Sequence, residues 1–383
     1  MSEAFRPSRA LRTVGRSERT GGGSVLALLG SLDALLTVAV MALSSFGVLM
    51  IASATRDTQR AAGLDPYLYL KKQVVFVGLG VLAMLVVAVV DYRTLVDISP
   101  ALYGLSMLLL FAVFLAPARN GAHSWFDFGQ FQFQPSEFTK LVVILALAGY
   151  GSAQRNHLDG RRVATLVAVA AVPIGLIFLE PDLGGALVVS VILLAMLWVA
   201  GAERRQMGWM FALAAALALI TVKAHILADY QIKRLTSFVG QPVYNVSQSK
   251  IAIGSGGLTG RGLFAGAQTR YGYVPERHTD FIFSVVGEQL GLIGAALLVL
   301  VIGLVCWRIL RIASAARDTA GTLICSGVLA LIVFQVFENI GMTMQIMPVT
   351  GIPLPMVSYG GSSTIMEFMA IGLVLNVNRH RFR

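Results

Sequence analysis

The chain has 383 residues, of which 56% are hydrophobic and 13% are charged, and its mean hydropathy is +0.74. This composition excludes a soluble globular protein, in which about 25% of the residues are charged. The excess of 30 Lys and Arg over 20 Asp and Glu is explained by the positive-inside rule and by contact with anionic lipid, so we predict no nucleic-acid partner.

Ten apolar runs, each bounded by charged residues, Pro or Gly, approach or reach the length needed to cross a bilayer. They predict an all-α polytopic membrane protein with about ten transmembrane helices, in which residues 25–383 form a single membrane domain. Residues 1–24 are predicted to form a basic, flexible cytoplasmic tail that lies on anionic headgroups. The predicted spans are about 30–53, 73–90, 98–116, 138–152, 163–179, 184–201, 207–222, 281–306, 320–346 and 362–378.

The distribution of Lys and Arg between the short segments predicts the orientation of the chain. The segments on the side of the N-terminus hold 17 of these residues, whereas the opposing short segments hold six. Because basic residues accumulate in cytoplasmic segments, both termini are predicted to be cytoplasmic. Residues 223–280 then form a long extracytoplasmic loop, and a loop of that length is more often functional than idle. The six opposing residues are Arg56, Arg60, Lys71, Lys72, Arg119 and Lys140.

Two polar clusters on the predicted outer side lie at the ends of spans. The first joins the turn Asn120–Trp125 to the stretch Gln134-Pro-Ser-Glu-Phe-Thr-Lys140, which has a predicted helix start near Ser136 and a Glu/Lys pair. This cluster serves either as an interfacial cap or as part of a site. The second, Glu180-Pro-Asp-Leu-Gly184, is a tight turn whose carboxylates are predicted to be solvated.

Two further clusters lie in longer segments of the same side. The long loop holds Gln248 and Lys250, followed by the Gly-rich run 254–262, in which the backbone can approach a ligand or turn sharply beside the bilayer. The segment 348–363 contains three Pro residues, which forbid a regular helix. We therefore predict a re-entrant or interfacial loop there.

The stretch 271–291 places four ionisable residues, the last of which is Asp280, immediately before an apolar span. In a helix that begins near Asp280, the spacing of Ser284, Glu288 and Gly291 puts all three on the same face as Asp280. A carboxylate inside a span is costly unless it faces a wet or paired interior. The pattern therefore predicts that this face lines an active site.

Other polar residues fall inside the predicted spans. Glu338 lies close in sequence to Gln335 and Asn339, and Glu367 belongs to the last span. Such groups usually face other helices, so interhelical hydrogen bonding is the preferred interpretation of all four.

Several of these motifs occur together in one known family. They are Gln134-Pro-Ser-Glu137 with Lys140, the run 254–262, Pro275-Glu-Arg-His-Thr-Asp-Phe-Ile-Phe283 and Thr350-Gly-Ile-Pro-Leu-Pro-Met-Val-Ser-Tyr-Gly-Gly-Ser-Ser363. In this combination the chain resembles the SEDS family of shape, elongation, division and sporulation proteins over nearly its whole length after the basic tail. The Gly-rich run with Gly266-Ala-Gln268 is more similar to RodA, the elongation member, than to FtsW, the division member.

The resemblance implies a peptidoglycan glycosyltransferase that polymerises lipid II on the outer face of the cytoplasmic membrane, with undecaprenyl pyrophosphate as the leaving group. It also implies a class B penicillin-binding transpeptidase as partner and membership of the rod-shape elongation complex. The carboxylate that is proposed as catalytic in the family maps to Asp280. Ser124, beside His123, stands where many members have Arg, which puts a phosphate-binding role at that position in doubt.

From the motifs and the polar clusters we predict a set of substrate-binding residues around Asp280. Glu276, His278 and Thr279 have supporting roles in this set, and a salt bridge within the loop is the alternative for Glu276. The predicted set is Gln134, Ser136, Glu137, Lys140, Gln248, Lys250, Glu276, His278, Thr279, Ser358, Tyr359, Ser362 and Ser363.

Glycan polymerisation requires a base for the acceptor hydroxyl and positive charge for the departing pyrophosphate. Asp280 is the predicted base, and partial burial is expected to raise its pKa unless Arg277 pairs with it tightly. Lys140, Lys250 or Arg261 is expected to supply the positive charge. A divalent cation such as Mg²⁺ or Mn²⁺ would serve equally well, although no metal cage is readable from the sequence.

Two other functions fit a protein of this class. A lipid II flippase would use a binding site at the bilayer midplane built from broken helices in matched halves, and the sequence shows no repeated halves. A non-catalytic scaffold for a cell-wall transpeptidase would be supported if glycan synthesis survived the loss of every polar cluster on the outer side. An assay that follows glycan product and leaflet exchange separately distinguishes all three.

Overall fold

The computed structural model describes residues 33–116, 124–129, 131–152, 159–223, 240 and 242–382. Backbone contacts divide the chain into Met1–Ser31 and Leu32–Arg383, and the described residues belong to the second unit. The predicted basic tail 1–24, residues 120–123 of the first polar cluster and loop residues 224–239 lie outside the described residues.

Thirteen α-helices and one two-stranded antiparallel sheet make up the described part of the chain. The strands β1 (Phe126–Asp127) and β2 (Gln132–Phe133) pair Phe126 with Phe133. The helices are α1 Ala34–Ala61, α2 Leu68–Val89, α3 Tyr92–Asp97, α4 Ser99–Ala112, α5 Pro135–Ser152, α6 Gly160–Leu179, α7 Leu183–Val199, α8 Arg204–Lys223, α9 Tyr244–Gly256, α10 Ala267–Arg270, α11 Ile282–Ser314, α12 Thr319–Thr343 and α13 Gly361–Arg379, with 3₁₀ turns at Val113–Leu115 and His380–Phe382.

Ten of the described helices, α1, α2, α4 to α8 and α11 to α13, coincide with the ten predicted spans. Five of them, α1, α2, α6, α11 and α12, are long and apolar enough to cross a membrane by length and composition, and the apolar segment of α4 and helix α7 are shorter. The predicted class, an all-α polytopic membrane protein, is therefore confirmed.

Short acidic side chains begin several of these helices. Asp33, Asp182 and Asp318 precede α1, α7 and α12, and each accepts a backbone N–H of the first helical turn at 2.7 to 3.0 Å. Such N-caps satisfy donors that a helix leaves unpaired at its start. The helix starts are therefore set by local sequence, whereas their packing depends on distant residues.

Small residues allow α2 and α13 to approach each other closely. A Cβ atom at Gly80 of α2 would lie 2.5 Å from the ring of Phe368, and one at Gly372 of α13 would lie 2.7 Å from the carbonyl oxygen of Met84. Close backbone approach through small residues is a usual way to pack helices in a bilayer. The contact brings the start of α2 beside the start of α13.

Helix α11 is broken at Gly291, which has φ +64° and ψ −163°. The loop after α9 fills the break, since the amides of Arg261 and Gly262 donate to the carbonyls of Glu288 and Gln289 at 3.0 Å. Beyond the break, the amides of Leu292 and Ile293 donate to loop carbonyls at 2.9 and 3.1 Å. Backbone groups freed by the break are thus paired within the protein, as a membrane environment requires.

The helix ends form two distinct polar regions. The Asp280 end contains the end of α1, the starts of α2, α5, α7, α11 and α13, and the end of α12 with the loop that follows it. The Asp318 end contains the starts of α1, α3 and α12 and the ends of α11 and α13. All four polar clusters of the predicted outer side lie at the Asp280 end, in the part of the chain that the structure describes.

Candidate active site

The backbone around Asp280 is held by three groups from two other parts of the chain. The carbonyl of His278 accepts the amide of Tyr359 at 2.8 Å, and the carbonyl of Thr279 accepts the hydroxyl of Ser358 at 2.6 Å. The carbonyl of Asp280 accepts the side-chain amide of Asn339 at 2.7 Å. Three successive carbonyls are therefore bonded to groups from α12 and the Pro-rich loop 344–360, so the half-buried Asp280 is presented by a fixed backbone.

His278 forms part of an aromatic cluster beside Asp280. Its ring lies 4.7 Å from that of Tyr69 and 5.5 Å from that of Tyr359, measured between centroids, and the two tyrosine rings are 5.0 Å apart. Burial lowers the pKa of His278 to about 4 and raises the pKa of Tyr359 to about 12. At neutral pH both rings are uncharged, so they form an uncharged aromatic surface beside Asp280 and not a charged subsite.

Arg277 anchors the loop to the end of α1. Its guanidinium donates to the carbonyl of Ala54 and to the hydroxyl of Thr58, both at 2.8 Å, and to the carbonyl of Val274 at 3.3 Å. Burial lowers the pKa of Arg277, with the charge of Glu276 as the next cause and in the opposite direction. These hydrogen bonds hold the loop against the end of α1, which gives Arg277 a structural role.

Glu276 and Thr279 make a local turn. Glu276 is exposed and has a positive φ of +49°, and its carbonyl and carboxylate accept the Thr279 hydroxyl at 3.2 and 3.3 Å. The same carbonyl accepts the amide of Phe281 at 3.1 Å. The turn leads the chain into α11, and the substrate role of either side chain stays a prediction.

The predicted Glu/Lys pair exists and is buried. Lys140 donates to Glu137 at 2.6 Å in the first turns of α5, and only 2% of Lys140 is exposed. Asp182 and Glu367 both lie within electrostatic range of this pair, and one oxygen of Glu137 has no hydrogen-bond partner. Lys140 thus pairs with one carboxyl group and lies within electrostatic range of two more.

Gln134 and Ser362 join the start of α5 to the start of α13. The Ser362 hydroxyl accepts the amide of Gln134 and donates to the carbonyl of Gln132, both at 3.0 Å. Ser136 is fully buried in the same turn of α5, and Ser363 is buried in the first turn of α13. These residues assemble the end of the bundle in the structure, and a direct contact with substrate stays a prediction.

Gln248 and Lys250 belong to α9, which packs on the end of α12. Ser249, between them, donates to the carbonyl of Thr343 at 2.9 Å, and the exposed Lys250 donates to the side chain of Gln345 at 2.8 Å. Arg261 donates from its side chain to the carbonyl of Ser255 at 2.7 Å. Of the three predicted cations, Lys250 and Arg261 are therefore exposed, whereas Lys140 is enclosed.

The predicted active-site face of α11 is wrong beyond Asp280. The Ser284 hydroxyl donates to the carbonyl of Phe281, within its own helix, at 2.6 Å. The Glu288 carboxylate accepts the amides of Gln268 and Thr269 at 2.7 and 2.9 Å, and also the Thr269 hydroxyl. Loop residues therefore cover this face, which helical periodicity alone could not show.

Interhelical hydrogen bonding is also wrong as a common explanation of the intramembrane polar residues. Glu338 accepts the hydroxyl of Thr350 at 2.9 Å, and Glu367 accepts the amide of Met356 at 2.8 Å, so both bind the Pro-rich loop. Asn339 also binds that loop, through the carbonyl of Ile352 at 2.8 Å. The amide atoms of the fully buried Gln335 have no hydrogen-bond partner.

Glu180 is not the solvated turn residue that the sequence predicted. It is fully buried at the end of α6, and neither carboxylate oxygen has a hydrogen-bond partner. Burial, followed by the charge of Asp182, raises the pKa of Glu180 to about 8. Ser124 donates to the carbonyl of Glu180 at 2.9 Å, which gives this serine a structural role in holding the turn.

Two residues at the start of α2 belong to the site but were missed. Tyr69 completes the aromatic cluster, and Gln73 donates to Thr364 at 3.0 Å and accepts the amide of Gly360 at 3.3 Å. Nothing in the local sequence of α2 distinguishes these residues from ordinary interfacial ones. Their place depends on the packing of α2 against α13.

The divalent cation expected from the chemistry of pyrophosphate release stays a prediction. Among the described residues, no group of three or more His, Cys, Asp or Glu side chains could hold a metal ion.

The comparisons with known proteins agree with this geometry. The family model described as "Cell cycle protein" (FtsW, RodA, SpoVE) matches residues 33–383. Stage V sporulation protein E of Bacillus subtilis (strain 168) is 36% identical over 360 residues, covering 91% of this chain and 97% of the relative. The peptidoglycan glycosyltransferase MrdB of Escherichia coli (strain K12) is 34% identical over 357 residues, covering 91% and 94%.

Solved structures share the fold. A chain from a study of the "structural coordination of polymerization and crosslinking by a peptidoglycan synthase complex" has a TM-score of 0.77 at 33% identity, covering 92% of this chain and 99% of that chain. The rod shape determining protein RodA of Thermus thermophilus has a TM-score of 0.69 at 33% identity, with coverages of 92% and 98%. The chain therefore belongs to the FtsW/RodA/SpoVE family of cell cycle proteins, the SEDS family, and is a multi-pass membrane protein.

Proposed function

We propose that this chain is a peptidoglycan glycosyltransferase that polymerises lipid II, with Asp280 as the catalytic base. The proposal rests on the way the Asp280 backbone is held in place. The backbone carbonyls of His278, Thr279 and Asp280 each accept a hydrogen bond from a different residue. A base must be held in place to accept a proton in the transition state. The E. coli relative is named a peptidoglycan glycosyltransferase, which supports the same reaction class.

The reaction consumes one hydroxyl and releases one pyrophosphate. The Asp280 carboxylate takes the proton from the acceptor 4-hydroxyl of lipid II as that oxygen attacks the anomeric carbon of the growing chain. The bond from this carbon to the pyrophosphate oxygen breaks, and its electron pair leaves with undecaprenyl pyrophosphate. Attack from the side opposite the leaving group inverts the anomeric centre to a β-1,4 link.

Positive charge for the pyrophosphate comes from the exposed cations in this proposal. Lys250 is exposed and bound to the neutral side chain of Gln345, so a phosphate can compete for it. Lys140 is buried with Glu137 and two further carboxyl groups, which makes it a structural cation in this conformation. This assignment revises the expectation that Lys140 meets the substrate directly.

The proposed setting is the outer face of the cytoplasmic membrane. In the described short segments between spans, the Asp280 end holds Arg56 and Arg60, whereas a larger set that includes Arg93, Arg308 and Arg379 lies at the Asp318 end, which the positive-inside rule assigns to the cytoplasm. We assign a transpeptidase partner because the solved synthase complex couples polymerization with crosslinking. A role in elongation is supported by the motif resemblance to RodA and by the shared fold.

The test is glycan synthesis from purified lipid II by the reconstituted protein and its Asp280→Asn variant. Loss of a general base lowers the rate by about 10²–10⁴-fold, and the isosteric amide should leave thermal unfolding unchanged. Asp65→Asn, an exposed carboxyl at the same end, is the matched control and should retain full rate. Normal turnover by Asp280→Asn would remove Asp280 from the mechanism.

Transport of lipid II is the competing activity, and the broken helix α11 is the feature that could suggest it. In transporters the backbone freed by such a break binds the substrate or the coupling ion. Here loop residues Gly257 to Gly262 pair with that backbone instead. Leaflet exchange of fluorescent lipid II, measured in the same vesicles, should be no faster than in protein-free vesicles.

A further inference from the structure

Asn339 is a fully buried residue near the end of α12, at 0% exposure. Its side-chain nitrogen donates to the carbonyls of Asp280 at 2.7 Å and Ile352 at 2.8 Å. The amide nitrogen of Asn has two hydrogens, and these two bonds use both. The orientation of the side chain is therefore determined by two backbone segments that are far apart in sequence.

The Asp280 carboxyl lies close to the loop segment that holds the second acceptor, Ile352. A Cβ atom built on Gly351, the residue before Ile352, would lie 3.4 Å from Oδ2 of Asp280. Gly351 has φ +77°, a conformation that suits glycine and turns the loop close to the carboxyl. Asn339 thus binds both the backbone that carries the base and the segment packed against that base.

We propose that Asn339 is a positioning residue for Asp280, which sets the distance and angle between the catalytic carboxyl and the Gly351 segment. This inference rests on the proposed function and adds to it a residue that does not touch the substrate. Asn339 bonds the carbonyl of Asp280 itself, whereas Ser358 and Tyr359 bond the carbonyls before it.

The expected consequence is specific to the chemical step. Without Asn339, two buried carbonyls lose their donor, and the Gly351 segment can shift relative to the Asp280 carboxyl. A displacement of a catalytic group by about 1 Å can lower the rate of reaction by about 10²-fold. Because Asn339 does not touch the substrate in this proposal, kcat should fall while KM for lipid II stays the same.

The experiment compares Asn339→Leu, Asn339→Gln and Ser249→Ala in the full-length reconstituted protein. Asn339→Leu keeps the approximate volume but has no donor, whereas Asn339→Gln keeps the donor amide. Ser249→Ala is the matched control, since Ser249 is fully buried and also donates to a carbonyl at the end of α12, that of Thr343 at 2.9 Å. Thermal unfolding is measured for every variant.

A fall in kcat of about 10²-fold for Asn339→Leu, with KM unchanged, is the expected result. Asn339→Gln should recover part of that loss, and Ser249→Ala should keep the wild-type kcat at a similar loss of thermal stability. Equal kcat in Asn339→Leu and Ser249→Ala would overturn the proposal. If Asn339→Leu does not fold, Asn339→Ser decides, because its single hydroxyl hydrogen cannot serve both carbonyls, and a wild-type kcat at reduced stability would give Asn339 a structural role alone.

The failure of this inference differs from the failure of the proposed function. If Asp280→Asn polymerises lipid II normally, the base itself is wrong, whatever Asn339 does. If Asp280→Asn is inactive and Asn339→Leu keeps the wild-type kcat, only the positioning role is wrong.

Discussion

The acidic residues at the two ends of the helical assembly differ in how completely their carboxylate oxygens are hydrogen-bonded. At the Asp318 end, the carboxylate of Asp318 accepts Tyr92 at 2.7 Å, Arg93 at 3.0 Å and the amide of Gly321 at 2.9 Å. Asp33 likewise accepts a backbone amide and the guanidinium of Arg308. These carboxylates hold helix ends together.

At the Asp280 end, several buried carboxyl groups keep oxygens without partners. Both oxygens of Glu180 and one each of Glu137 and Glu338 have no hydrogen bond in the described structure. Unsatisfied buried polar groups are costly, and proteins tolerate them chiefly where function requires them. The difference teaches that one end is organised for stability and the other for chemistry.

The largest expected effect comes from removing Lys140, the buried cation that pairs with Glu137 at the Asp280 end. Lys140→Met leaves Glu137 near Asp182 and Glu367 with no compensating charge. Breaking a buried pair in this way should lower the free energy of unfolding by about 3–5 kcal/mol, measured by thermal or denaturant unfolding in detergent. The double variant Glu137→Gln/Lys140→Met should regain much of the loss, and an equally unstable double variant would contradict the pairing.

Substitution of Asp318 should lower the stability of the protein without lowering the rate of polymerisation. Asp318→Ala removes an N-cap and the bonds from Tyr92 and Arg93, so the free energy of unfolding should fall by about 2 kcal/mol. Asp318→Asn retains an acceptor for the cap and should lose less. Polymerisation per folded molecule should stay at the wild-type rate, and a fall beyond the unfolded fraction would show that this end also serves the chemistry.

Glu180 should make stability depend on pH. Its pKa is about 8 in the folded protein and near 4.5 when exposed, so the folded state holds the proton more tightly between these values. Stability due to this group therefore falls as pH rises from about 4.5 to about 8 and is constant above. Glu180→Gln has no such loss, so its Tm should match the wild type at low pH and exceed it increasingly up to pH 8.

Glu203→Gln is the control for that measurement, because Glu203 is an exposed carboxyl at the start of α8. Its Tm should follow the wild-type curve at every pH. A Glu180→Gln curve parallel to both would mean that Glu180 is solvated in the folded protein.

The smallest effect is expected for an ion pair that is short but exposed. Lys71 and Asp65 lie 2.6 Å apart at the Asp280 end, with side chains 66% and 40% exposed. Lys71→Met should leave the free energy of unfolding close to that of the wild type, because solvent screens such pairs. A loss comparable with that of Lys140→Met would show that distance, rather than burial, sets the strength of these pairs.

Local sequence predicted much of the site but not its environment. The Glu137/Lys140 pair followed from i,i+3 spacing, and the Pro-rich loop followed from its prolines. Periodicity failed for Glu288, because a helical face says nothing about which loop covers it. The prediction for Glu180 failed for a different reason: a tight turn with two carboxylates indicates solvated side chains unless the neighbouring residues are known.

By itself, the amino-acid sequence determined the membrane class, the ten spans and the place of Asp280 at a span end. These follow from hydropathy and helix-start chemistry, which act over a few residues. Only the tertiary structure decided that Asn339 binds the Asp280 backbone, that Tyr69 completes the aromatic cluster and that Lys140 is enclosed by carboxyl groups. These contacts join residues far apart in the chain, and the packing of the helix ends that creates them is a property of the whole assembly.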